Sequence, residues 1–212
     1  MKPFFLIYIA VFVLVGVSCQ QKRSHVCEIS IDVSQDAEDS LSVYCYEPDY
    51  NRSRIIFTGK IVDGHLLLSD NNNTGVSRVA YFLCGEDTVA HYFVLEPGRV
   101  DIAIEKERIR IQGSRSNYDL FCFRNSIKRI DCERKRIKDS YLKDVRDSVL
   151  NETVEMAAFT RDSVLADSVQ HLLVKRIGRG DAVSRIIKEQ YSSRLTQASW
   201  EKLRLSSKKV WL

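Results

Sequence analysis

The residues best suited to do chemistry in this 212-residue chain are its six cysteines and four histidines. None of the cysteines forms a C-x-x-C pair, the spacing that lets one thiolate attack a disulfide while its neighbour resolves the product. Cys122 and Cys132 stand ten residues apart on what reads as one helix, about 15 Å along its axis, too far for a mutual bridge. Cys27, Cys45 and Cys84 each fall within an extended apolar pattern, where a buried small hydrophobe is the simplest reading and a bridge between two of them the alternative. His25-x-Cys27 could be half a metal site, but His65, His91 and His171 supply no matching ligand spacing, so no metal is expected. There is no G-x-S-x-G elbow and no H-E-x-x-H, and Gly178-x-Gly180 lacks the strand and the Lys-Ser/Thr of a phosphate loop. Asp70 with Asn71-Asn72-Asn73 lacks the spaced carboxylates of a calcium loop and reads as an exposed turn. No catalytic residue and no cofactor site is assigned, and the ligand-binding residues are left open.

Cys19 has a different chemistry in view. Lys2, the apolar run Phe4 to Val17 and then Gly16-Val17-Ser18-Cys19 have the form of a secretory signal, too short in its apolar part to span a bilayer as a helix. Small residues ahead of a cysteine suggest a lipoprotein signal over residues 1–18, with Cys19 acylated and becoming the new N-terminus, although Gly16 stands where such boxes usually carry Leu. An ordinary cleavable signal is the alternative. Residues 19–26 then form a polar tether, and acyl chains contributing about 0.8 kcal/mol per buried CH₂ would hold the protein on a membrane. Gln20 after the cysteine favours a bacterial outer membrane, with the chain facing the periplasm or exposed at the surface. That compartment permits disulfides.

The elements that must position any site follow from the apolar period. From residue 27 to about 115 it is two: Cys27-x-Ile29-x-Ile31, Leu41 to Tyr46, Ile55 to Val62, His65 to Leu68, Val79 to Cys84, Val89 to Val94, Val100-x-Ile102-x-Ile104 and Ile109-x-Ile111. Asp63-Gly64 is a two-residue hairpin turn and Glu96-Pro97-Gly98 another reversal. So many short strands predict an N-terminal antiparallel β-sandwich.

At Tyr118 the period becomes helical, with Ser116 or Asn117 as the expected N-cap. Leu120, Phe123, Ile127, Ile130, Ile137, Tyr141 and Val145 mark one long amphipathic helix. After a break near Asn151, a second carries Met156, Phe159, Val164, Leu165, Val169, Leu172 and Leu173 on its apolar face and stops at Gly178-Arg179-Gly180. Asp181 and Thr196 cap two shorter helices. The fold class expected is therefore α+β, a sandwich over 27–115 followed by a helical region over 116–212.

The handover segment carries a resemblance. Leu95-Glu96-Pro97-Gly98, two short strands, Ile111-Gln112-Gly113-Ser114 and Asn117 opening a helix, with Phe57-Thr58-Gly59-Lys60 and Val62-Asp63-Gly64-His65-Leu66 upstream, resemble a domain of unknown function. That domain is found ahead of TlpA/ResA-type thioredoxin-like domains in lipoproteins of Gram-negative bacteria. The resemblance implies a helical linker after the β domain and a thioredoxin-like protein as a possible partner. The absence of C-x-x-C argues against redox activity in this chain itself.

Charge narrows the partners. Cys19 to Gly98 holds 6 Lys and Arg against 12 Asp and Glu, whereas Lys175 to Leu212 holds 10 against 3. A basic helical face docking on an acidic β domain accounts for this, and the basic end can also attract acidic partners or anionic headgroups. Nucleic acid is not expected, because no stacking platform or zinc module accompanies the basic residues. The function expected is that of a membrane-anchored, non-catalytic binding or interaction module. The alternative is the front portion of a split or truncated thiol-disulfide oxidoreductase.

Overall fold

A computed structural model of the chain describes residues 26–33, 40–47, 52–70, 75–84, 89–105, 108–147 and 151–208. Cys19, the apolar leader and the Asn71-Asn72-Asn73 turn lie outside them. The described strands are β1 (Cys27–Val33), β2 (Ser40–Glu47), β3 (Arg52–Lys60), β4 (His65–Asp70), β5 (Arg78–Cys84), β6 (Val89–Leu95), β7 (Gly98–Glu105) and β8 (Arg108–Gln112). Four helices follow: α1 (Arg115–Arg146), α2 (Glu152–Ile177), α3 (Ala182–Tyr191) and α4 (Gln197–Lys208). The class is α+β, as expected.

The strands form two four-stranded sheets, β4-β1-β7-β8 and β3-β2-β5-β6. All pairings are antiparallel but one: β1 and β7, the central strands of the first sheet, run parallel, so that Ile29 lies beside Val100, Ile31 beside Ile102 and Val33 beside Ile104. The turn at Asp63-Gly64 has φ of 51° and 77°, the doubly positive pair of a tight hairpin turn. Yet the hairpin is reduced to the single bridge between Val62 and His65. Beyond it β3 joins β2 and β4 joins β1, so the chain changes sheet where an ordinary hairpin was expected. Glu96-Pro97-Gly98 makes the same crossing between β6 and β7, with Gly98 at φ 118°.

Two apolar clusters result. The larger draws on both sheets: Ile29 and Ile31 of β1, Val43 of β2, Leu66 and Leu68 of β4, Phe82 of β5, Phe93 and Leu95 of β6, and Ile102 of β7. The smaller joins the other face of the second sheet, through Val79 and Val94, to Leu120, Phe123, Ile127, Val169, Leu173, Val183, Ile186 and Ile187 of the helices. Strand β6 is thus covered on both faces, Phe93 and Leu95 toward one cluster and Tyr92 and Val94 toward the other. Tyr44, Tyr81 and Tyr92, directly opposite one another on β2, β5 and β6, form an aromatic row on the helix-facing side.

The helix boundaries follow local hydrogen-bond chemistry. The cap of α1 is Ser114, whose hydroxyl accepts from the Asn117 N–H, in place of the expected Ser116 or Asn117. Asn151 caps α2, Asp181 caps α3, and the Thr196 hydroxyl accepts from the Ser199 N–H at the start of α4. Burial along the α1–α2 hairpin is uneven: between Lys128 and Ser168 every described residue is exposed or half-buried. Met156, Phe159 and Val164, expected on an apolar core face, are 61%, 72% and 60% exposed. The sheet meets only the other half of the hairpin, where Leu120, Phe123, Ile127, Val169 and Leu173 are buried. Toward the connection, polar contacts join the helices: Arg134 grips Asp162 through two hydrogen bonds of 2.7 and 2.9 Å, and Arg161 reaches Glu133.

Candidate binding cleft

Among the described residues the last strand of each sheet, β6 in one and β8 in the other, has one edge without a neighbouring strand. An uncovered edge presents a row of N–H and C=O groups that must be satisfied or shielded. Helix α1 starts one short turn after β8 and answers much of this need for β6. The buried Asn117 amide accepts from the Val94 N–H and donates to the Val94 carbonyl, both at 2.8 Å, as a neighbouring strand would. Two turns further on, Arg124 Nη2 donates to the Tyr92 carbonyl at 3.3 Å. The helix is placed by Gly113, whose φ is 118° and where an added Cβ would meet the Arg99 carbonyl oxygen at 2.2 Å. Glu96 secures the same junction, accepting from the Ser116 N–H and hydroxyl and from the Ser77 hydroxyl. Desolvation alone would raise the Glu96 pKa, but hydrogen bonds from Ser114, Ser116 and Ser77 outweigh it and hold the carboxyl below its usual range.

Between the two edges lies a cleft of about 1040 Å³, walled by Ala90, His91 and Tyr92 of β6, Ile109 to Gln112 of β8, the first three turns of α1 and Gln190 near the end of α3. Its apolar surface comes from Ile109, Ile111, Leu120 and Phe121, with Tyr118 and Phe121 largely exposed. Among the described residues its basic lining is three arginines, Arg110, Arg115 and Arg124, and His91, with no carboxylate. Arg110 is paired with Glu105. Arg124 is half-buried and, among the described residues, bound only by neutral acceptors, Gln190 Oε1 at 2.8 Å from Nη2 and 3.3 Å from Nε, besides the Tyr92 carbonyl. Burial lowers its pKa, and of its neighbours only Tyr191 pushes the other way. Burial, and then the charge of Arg124, also lowers the pKa of His91, so that its imidazole is neutral at pH 7.

Among the described residues the cleft thus combines apolar walls with basic groups and neutral hydrogen-bonding groups. The neutral His91 stacks on Phe82 and, among the described residues, has no carboxylate or hydroxyl partner to orient it as a general base. Among the described residues no three of His, Cys, Asp and Glu are arranged to hold a metal ion. The cysteines are dispersed: Cys27 and Cys45 are buried in β1 and β2, while Cys122 and Cys132 are exposed on α1. Cys84 belongs to β5, and Cys19 lies outside the described residues.

Sequence reasoning passed over the cleft. Asn117 was read only as a cap, and Arg124, Tyr92 and Gln190 were not singled out as a group. A signal was present: Asn117, Leu120, Arg124 and Ile127 follow the three-four spacing of an apolar seam in which two positions are polar. Polar residues on a core-facing stripe need buried partners, and here those partners are the edge carbonyls and N–H of β6. Compared with known proteins, the chain matches no family model, no curated protein and no solved structure.

Proposed function

We propose that this chain is a membrane-anchored, non-catalytic binding module of a bacterial envelope, tethered through acylated Cys19 and holding a small organic ligand in the cleft between β6, β8 and α1. The observation that carries the reading is the cleft itself. At about 1040 Å³ it is at the upper end of the ~300–1000 Å³ usual for ligand pockets, and it combines apolar walls with a few convergent polar groups. The two sheets are read as a sandwich because one apolar cluster takes residues from both. The resemblance to the domain that precedes thioredoxin-like domains in bacterial lipoproteins supports a lipid-anchored envelope protein, Gln20 after the cysteine favours the outer membrane, and a thioredoxin-like protein is a candidate partner of the assembled module. The aromatic row offers no flat platform for a sugar, since the Tyr44 and Tyr81 rings lie 5.1 Å apart with planes 8° apart and cover each other's faces.

Two variants test this reading. Cys19→Ser is expected to move the protein from the membrane to the soluble fraction, and continued membrane retention would contradict the tether. Ala90→Phe places a ring in the cleft from the β6 wall. In a thermal-shift screen of small organic acids, alcohols and sugars, compounds that stabilise the unaltered chain should lose their effect on this variant. Stabilisation that survives the substitution would place the ligand elsewhere, and turnover of any compound by the purified chain would remove the non-catalytic reading.

A further inference from the structure

We infer that the cleft takes an amphipathic oxyanion, a carboxylate or phosphate monoester on an apolar body, with Arg124 holding the anionic group. The inference rests on the cleft being the ligand site and goes on to its chemistry. Arg124 is the only lining arginine that is both half-buried and without an anionic partner among the described residues: Arg110 has Glu105, and Arg115 is exposed at the mouth. Two of its nitrogens, Nε and Nη2, are spent on Gln190 and Tyr92, while Nη1 donates to no described protein group. Among the described residues no carboxylate forms an ion pair with Arg124. Asp131, which with Arg124 lines a smaller groove on the far side, is gripped by Arg194 at 2.7 and 2.9 Å. Glu189 and Asp119 form no ion pair with Arg124.

A guanidinium withdrawn from water without a counter-charge is costly, and a planar oxyanion matches its fork of donors. Water is thinned around it, so the attraction is stronger than at an open surface. His91, neutral and beside Arg124, can donate one further hydrogen bond. The rest of the lining explains the apolar body: Ile109, Ile111, Leu120 and Phe121 offer hydrocarbon surface within the same cavity, and Arg115 at the mouth adds attraction for an approaching anion.

The test uses the full chain held in lipid nanodiscs and three probes with one tail and different heads: octanoate, octyl phosphate and octan-1-ol. Binding is followed by the side-chain Nε–H resonance of Arg124 and by thermal shift. At least one anion should bind tenfold or more tightly than the alcohol and move the Arg124 resonance; which anion is preferred identifies the source of the head group. Gln190→Glu supplies an internal carboxylate 2.8 Å from Nη2 without removing the arginine. It should raise the melting temperature of the ligand-free protein and weaken the anion at least tenfold, whereas a purely structural Arg124 would show the first effect without the second. Alcohol and anions binding equally, all abolished by Ala90→Phe, would overturn the oxyanion and leave the cleft as a ligand site. Anions binding equally well to Ala90→Phe would overturn both readings.

Discussion

Asn117 shows how one side chain joins the two halves of the chain. Its amide replaces a neighbouring strand for Val94, and its removal leaves a buried N–H and C=O without partners. Asn117→Ala is therefore expected to cost about 3 kcal/mol, at the usual ~1–3 kcal/mol for each orphaned group less some relaxation, as read by urea unfolding. Asn117→Asp, which keeps the acceptor and loses the donor, should fall between; a loss under about 1 kcal/mol in the alanine variant would mean that the clip is not needed. Glu96 makes a prediction about pH. Its folded pKa lies below its unfolded value, so the stability it contributes is fully present above the unfolded value, about 4.3, and is lost as pH falls through the folded pKa. Unfolding curves at pH 7 and pH 3 should converge for unaltered chain and Glu96→Gln in acid and separate at neutral pH, with the unaltered chain the more stable. Glu96 is legible as turn chemistry; that it would bind the serines at the start of the next helix is not, since those partners meet only through the change of sheet at Pro97.

At the scale of elements, all eight strands and the four helices were legible because a period of two or of three and four survives in a single sequence. What the period does not carry is the partner of each face. Asp63-Gly64 announces a tight turn, and it is one, but only the positions of β1 and β2 decide that its two arms enter different sheets. The long helices failed in a similar way: Met156, Phe159 and Val164 repeat as a core face would, while the second sheet covers only the other half of the hairpin. Two substitutions express the difference. Leu173→Ala, in the covered half, should cost about 3 kcal/mol, as cavities in a packed core do. Phe159→Ser should change stability by no more than about 0.5 kcal/mol, as at other exposed sites. A large loss from Phe159→Ser would mean that this face is covered in solution. The Arg134–Asp162 contact, partly exposed on both sides, should show a coupling of roughly 0.5–1 kcal/mol in a double-mutant cycle.

For the whole molecule, the β region and the helical region share two strands, β5 and β6, which take part in both clusters. The acidic front and basic end of the sequence were expected to meet as docking faces; the contact described is instead mostly apolar, with polar clips at Asn117 and Arg124. The cleft is a consequence of this joint. Helix α1 covers the β6 edge near Val94, β8 ends just before it, and the space left between the edges is lined by side chains distant in sequence, from Ala90 to Gln190. No local pattern could announce a cavity assembled from so many segments, which is why the sequence pointed toward a binding module and not toward its site.

Occupancy of the cleft when the protein is at work is open to native mass spectrometry of the full chain purified from its own membranes. The predicted result is a population carrying a bound small molecule in the unaltered chain, absent from the Ala90→Phe variant purified in parallel. A chain that carries no ligand, or the same bound mass in both proteins, would contradict it.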